Sequence, residues 1–69
     1  MSAKVYRVTE VVGTSQDSIQ DAVRQAVRRA NPTIRNLDWF EVTEIRGAIA
    51  NGEVEDFQVG VKIGFRLDD

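Results

Sequence analysis

Few side chains in this 69-residue chain are equipped for chemistry, and those that are suit binding better than bond making. Histidine and cysteine are both absent, which excludes the usual zinc ligands, Ser-His and Cys-His nucleophile pairs, and disulfides. Glu41 and Glu44 resemble a carboxylate pair, but no leaving-group pocket is legible around them and no acid-base role is assigned. What remains is the single tryptophan, Trp39, together with Gln58, Arg46 and Arg66. Indole offers a flat apolar face, a primary amide offers two donors and an acceptor, and guanidinium groups meet anions with planar donors. Such a set suits a planar ring with polar edges and an anionic tail. The ring would stack on Trp39, Gln58 would read its edge, and an arginine would meet a phosphate.

Composition narrows the setting. A chain this short forms one domain and buries only about 60% of the surface its unfolded form exposes, so it needs help to be stable. With disulfides and zinc excluded, association with other subunits is the remaining aid. The net charge of −2 and a pI near 5 argue against nucleic acid as the main partner, which usually demands a basic face. No apolar run approaches the roughly 20 residues of a membrane span, and Met-Ser-Ala-Lys-Val-Tyr-Arg lacks the apolar core of a signal peptide. A soluble, cytoplasmic protein is expected, with no membrane partner and no metal.

Three kinds of segment must position the candidate residues. Residues 4 to 12 are rich in β-branched side chains and read as a strand, with Tyr6, Val8 and Val12 on one side and Val5 and Val11 on the other. Gly13-Thr14-Ser15 is expected to break it. From Asp17 the period changes: Ile19, Ala22, Val23, Ala26, Val27, Ala30 and Ile34 fall on one helical stripe. Ser15 or Ser18 can cap this helix, its three alanines allow close approach to a sheet, and Pro32 ends the regular part near Asn31, with a ragged turn to Arg35.

The second half reads as a hairpin. Phe57, Val59, Val61, Ile63, Phe65 and Leu67 alternate with Asp56, Gln58, Gly60, Lys62, Gly64 and Arg66, and the odd set belongs under the helix. On the preceding strand the apolar parity breaks twice. A three-residue loop, Ala50-Asn51-Gly52 with a glycine bulge, aligns Ile45 and Ile49 with the odd face. One extra residue at Thr43 or Glu44 then brings Phe40 and Val42 to the same side. Trp39, Glu41, Arg46 and Ala48 are left outside, facing Gln58, Gly60, Lys62, Gly64 and Arg66. Gly60 and Gly64 are expected to leave that outer face flat and open beside the indole.

Each of these features also has a plainer interpretation. Trp39 at a strand end can fill a core or a subunit interface, and the glycines can serve close subunit packing. Arg46 and Arg66 can pair with Glu41, Glu44, Asp68 or Asp69, and the cluster Arg24, Arg28, Arg29 and Arg35 fits a solvated face.

Several motifs together carry a resemblance. Val-Gly-Thr-Ser at 12 to 15, Arg-Asn-Leu-Asp-Trp-Phe-Glu-Val at 35 to 42, Glu-Ile-Arg-Gly at 44 to 47, Phe-Gln-Val at 57 to 59 and Ile-Gly-Phe-Arg-Leu at 63 to 67 resemble the dodecins, small flavin-binding proteins of bacterial type. The likeness runs from about Lys4 to Leu67. It implies an α+β fold, a single dodecin-like domain over 1–69 built β-α-β-β, with a three-stranded antiparallel sheet in order 1-3-2 wrapped around the helix. It also implies a hollow homododecamer with paired flavins between tryptophans at subunit interfaces. Trp39 matches the stacking tryptophan, Gln58 the residue that hydrogen-bonds the isoalloxazine, and Arg46 and Arg66 basic positions near the pocket, with FMN or riboflavin as cofactor.

The function so implied is flavin storage or sequestration with photoprotective quenching, and no enzyme activity. Some family members also take coenzyme A; the arginines are compatible with it, although no motif for it is present. Where many relatives carry a polar or histidine side chain after Arg-Gly, this chain has Ala48, whose methyl supplies no polar contact. A structural oligomer of the same fold, with Trp39 as interface packing only, is the alternative.

Overall fold

The chain runs β1 (Tyr6–Ser15), α1 (Ile19–Ala30), β2 (Leu37–Ala50) and β3 (Glu53–Arg66) in a computed structural model that describes residues 3–68. The strands form one antiparallel sheet in the order β1-β3-β2, the topology the resemblance implies. Asp69, one of the carboxylates considered for the arginines, lies outside the described residues.

The helix starts at Ser18, whose side chain accepts a hydrogen bond from the Asp21 N–H at 2.9 Å. Ser15 adds a second tie. Its hydroxyl accepts from the Asp17 and Ser18 N–H groups and donates to the Asp21 carboxylate at 2.7 Å. Both serines therefore secure the helix start, and β1 continues through Gly13, Thr14 and Ser15 instead of breaking there. Gly13 stays in the strand for a packing reason: a Cβ at this position would lie 2.0 Å from the Ala22 carbonyl oxygen. Glycine on the strand and alanines on the helix let the two backbones approach closely.

The core is the set Ala22, Ala26, Ala30, Val59, Val61 and Ile63, with Val11, Ile19, Val23, Val27, Ile34 and Leu37 packed against it. Val59, Val61 and Ile63 are the largest fully buried side chains, and each contributes about 1.5–3 kcal/mol by leaving water. Beyond Ala30 the ragged turn is held by the Thr33 and Ile34 N–H groups donating to the Ala30 carbonyl. Asn36, at φ 64°, then redirects the chain into β2, and its amide donates to the Arg66 carbonyl and the Asp68 carboxylate.

The β2–β3 pairing contains three irregularities. Thr43 is the extra residue between the Val42–Val61 and Glu44–Gly60 pairs, which places Phe40, Val42 and Ile45 on the helix side as expected. The loop differs from expectation. Ala50 pairs with Glu53 across a two-residue Asn51-Gly52 turn, both residues at positive φ (54° and 77°). That geometry is the mirror-image hairpin turn whose twist matches the strands. Parity is restored by a bulge at Glu55, between the Ile49–Val54 and Ala48–Asp56 pairs. A third extra residue, Asp38, sits between the Leu37–Phe65 and Trp39–Gly64 pairs.

Helix α1 covers β1 and β3 but leaves β2 open. Phe40, Val42, Ile45 and Ile49 share the core-side face, as expected, yet all four are exposed rather than inside. Between α1 and β2 runs a groove of about 660 Å³.

Candidate functional site

The outer face of the sheet is built from the even residues of β1, from the even residues of β3 beyond the Glu55 bulge, and from Trp39, Glu41, Glu44, Arg46 and Ala48 of β2. Trp39 pairs with Gly64, and its indole lies over that glycine. A Cβ at Gly64 would meet three indole ring atoms, the nearest at 2.2 Å. The expected open area at Gly64 is therefore filled, by the tryptophan itself. Gly60 is likewise covered, by Thr43 Oγ1 and the Glu44 side chain, and both glycines are buried. The outer face is flat because the indole replaces the missing side chain, with one ring face against the sheet.

Tyr6 completes the mounting of the indole. It pairs with Arg66 in the β1–β3 register, and its ring centroid is 6.1 Å from that of Trp39 with a tilt of 56°, a favourable edge-biased contact. Its hydroxyl donates to Asp38 Oδ2 at 2.9 Å, reaching across β3 from one edge strand to the other. The bulge residue next to the tryptophan is thereby tied down. This hydrogen bond raises the Tyr6 pKa above the ordinary phenol value, with the partial loss of solvent and the negative charge of Asp38 acting in the same direction and Arg66 opposing them. Trp39 keeps 41% of its surface exposed, so the outward ring face is free.

The other candidates divide into two groups. Arg66 follows Gly64 by two residues on the same face and stands beside Trp39 and Tyr6; no ion pair engages it among the described residues. Arg46 and Gln58 pair with each other elsewhere along the sheet, with Arg46 Nε donating to Gln58 Oε1 at 3.4 Å. Arg46 also forms an ion pair with Glu44 at 3.0 Å, and the Gln58 amide donates to Asp56 Oδ1. Gln58 and Gly64 are six residues apart on one strand, which at about 3.3 Å per residue is roughly 20 Å. One chain therefore does not bring Gln58 and Arg46 to the indole it carries. The sequence places all four residues on one face correctly but not at one place on it.

Sequence reasoning also missed Tyr6 and Asp38. The loose alternation of β1 left the side of Tyr6 undecided, and only the Tyr6–Arg66 register puts it beside the tryptophan. Of the expected ion pairs, Arg46–Glu44 forms, and Asp68 is taken by Arg35 rather than Arg66. No cluster of three or more acidic side chains is placed to hold a metal among the described residues, and no helix is long and apolar enough to cross a membrane.

The β-α-β-β chain with its sheet in the order β1-β3-β2 has known counterparts. The dodecin family model matches residues 5–68. The chain belongs to the dodecin family. A curated dodecin from Thermus thermophilus is 48% identical over 66 residues, 96% of each chain. Among solved structures, the dodecin from Streptomyces coelicolor is 61% identical with a TM-score of 0.93, covering 100% of this chain and 99% of that one. The dodecin from Streptomyces davaonensis is 48% identical with the same TM-score of 0.93, covering 99% and 100%. These dodecins share the β-α-β-β architecture over essentially their full length.

Proposed function

We propose that this chain is a flavin-binding subunit of a homododecamer that stores or sequesters FMN or riboflavin and quenches its excited state. The observation that carries this proposal is the seating of Trp39: one indole face is held against Gly64 and the opposite face is free. A preorganised flat apolar surface fits a planar isoalloxazine, because the indole has lost its freedom before the ligand arrives. Stacking on an aromatic side chain is worth about 1 to 3 kcal/mol per ring by analogy with nucleic-acid bases.

The chain's own residues then have distinct tasks. Trp39 provides the stacking surface, and Tyr6 and Asp38 keep it in place. Arg66, beside the indole and without an ion-pair partner among the described residues, meets the anionic tail of the ligand. Gln58 and Arg46 reach the ring edge from another copy, since within one chain they stand too far from Trp39. A flavin held on Trp39 would supply visible absorption and an electron-accepting excited state, and the electron-rich indole of Trp39 would be the residue suited to donate the electron and recover it. No acid, base or nucleophile of the chain is required for this, and the chain acts as a single-domain, cytoplasmic binding protein rather than an enzyme. Coenzyme A is a further ligand compatible with the arginines.

A second interpretation is favoured by Val8 and Val12, which are exposed on the same outer face and make Trp39 part of an apolar packing surface between copies. Titrating the purified protein with FMN, and in parallel with riboflavin, while following flavin fluorescence separates the two. Saturable quenching is expected, with FMN bound more tightly if Arg66 holds its phosphate. Unquenched flavin at every protein concentration would leave Trp39 as packing only.

A further inference from the structure

Trp39 and Tyr6 are the only tryptophan and the only tyrosine of the chain, and cysteine is absent. Apart from Met1, they are its only side chains that readily give up a single electron. The fold sets them against each other. Tyr6 stands on β1 and Trp39 on β2, and the register of both strands with β3 brings their rings to 6.1 Å between centroids, tilted by 56°. Over so short a contact an electron passes from ring to ring without an intervening group.

A third side chain completes the arrangement. The Tyr6 hydroxyl donates to Asp38 Oδ2 at 2.9 Å, a bond that spans β3 and holds the bulge beside the indole. The same bond is a path for a proton. A phenol that loses an electron becomes a very strong acid, so its oxidation is easiest where a carboxylate already accepts its hydrogen bond. That bond also holds the Tyr6 pKa above the ordinary phenol value, so at neutral pH the proton is in place on the phenol.

We infer that Tyr6 is an electron donor to oxidised Trp39, with Asp38 as the acceptor of its proton. The oxidant is an excited flavin ring stacked on the free indole face, so the inference rests on the quenching part of the proposed function. The indole gives one electron to that ring and becomes a radical cation. Tyr6 then passes one electron to the indole, which is restored, while the Oη proton moves along the existing hydrogen bond to Asp38 Oδ2. A neutral phenoxyl radical and a protonated Asp38 result. When the phenoxyl recovers the electron from the ring, the proton returns from Asp38 to Oη and every group is as it began. The relay moves the electron vacancy off the stacking surface and shields Trp39 from irreversible oxidation.

The test uses the flavin-free protein and supplies the oxidant chemically. Azidyl radicals made by pulse radiolysis take an electron from indole in preference to phenol at neutral pH, and transient absorption follows the indole and phenoxyl radicals separately. In the native protein the phenoxyl signal is expected to rise as the indole signal decays, with one rate constant that does not change with protein concentration. Heavy water should slow this transfer, because a proton moves with the electron. Neither of these readouts needs a variant. Tyr6→Phe keeps the ring contact and should leave a long-lived indole radical, and Asp38→Asn, which keeps an acceptor but not a base, should slow the transfer several-fold. An indole radical that decays equally in native and Tyr6→Phe protein would overturn the relay, as would a phenoxyl rise proportional to protein concentration. A transfer as fast in Asp38→Asn as in the native protein would overturn the proton path. No flavin enters these measurements, so a failed FMN titration and a failed relay are told apart.

Discussion

Under α1, strands β1 and β3 present Val11, Val59, Val61 and Ile63 to a helix held close by Gly13 and three alanines. Across β2 the same face of the same sheet presents Phe40, Val42, Ile45 and Ile49 with no element over them among the described residues. The closed half is complete within one chain, whereas the open half and the outer face around Trp39 stay exposed in it. The difference teaches that alternation decides which way a strand residue points, while coverage depends on where the one helix lies. Stability should therefore reside in the first half and binding in the second, and substitutions should separate them.

Two glycines give the sharpest separation. At Gly13 a methyl group would collide with the helix backbone, which cannot step aside cheaply. Gly13→Ala should cost about 3 kcal/mol or more, a large share of the stability of so small a domain, and chemical denaturation would measure it. A variant as stable as the parent would mean that the close helix approach matters little. At Gly64 the obstacle is a side chain, the Trp39 indole. Gly64→Ala should change stability by no more than about 1 kcal/mol while displacing the indole and weakening flavin affinity roughly tenfold. Equal losses of stability from both substitutions would erase the distinction between the halves.

Smaller effects sharpen the description of the outer face. Gln58→Leu should weaken flavin binding by about 1–2 kcal/mol, since a polar ring edge loses its partner, with stability nearly unchanged. Unchanged affinity would remove Gln58 from the site. Tyr6 is the only tyrosine, so its ionisation can be followed by absorbance without overlap. Its pKa is raised by the hydrogen bond to Asp38. The sign follows: the bond supports the fold fully below the ordinary tyrosine value near 10 and is lost as pH climbs through the raised value in the folded protein. Asp38→Asn should move the titration midpoint down, and a midpoint indifferent to that change would mean that the phenol is free.

Much of this was legible in the sequence, and what was not has physical reasons. The helix stripe and the alternation of β3 follow from single periods maintained over many residues, and the parity change of Phe40 and Val42 requires an extra residue at Thr43 or Glu44, of which the register selects Thr43. Near the turn, a three-residue loop and a two-residue turn with a bulge at Glu55 give the same parity, so the apolar pattern alone cannot separate them. The Asp38 bulge sits at the start of β2, where no alternation is yet established. Gly13 looked like a strand breaker because its reason, a helix backbone in contact, lies across the fold. Gly60 and Gly64 suggested vacancy because sequence does not tell which neighbouring side chain lies down on a glycine. Gln58 and Arg46 share a face with Trp39, but side-chain parity carries no information about distance along a strand.

In this reading the free face of Trp39 is a flavin-stacking surface. The most direct test is to titrate FMN with the native protein and with Trp39→Ala, following flavin fluorescence and checking by size-exclusion chromatography that the assembly is retained. The native protein should quench the flavin to saturation, while Trp39→Ala, with its assembly intact, should bind more weakly by about 1 to 3 kcal/mol and leave bound flavin fluorescent. Equal affinity and equal quenching in both would rule out stacking on Trp39 and return it to the role of a packing residue.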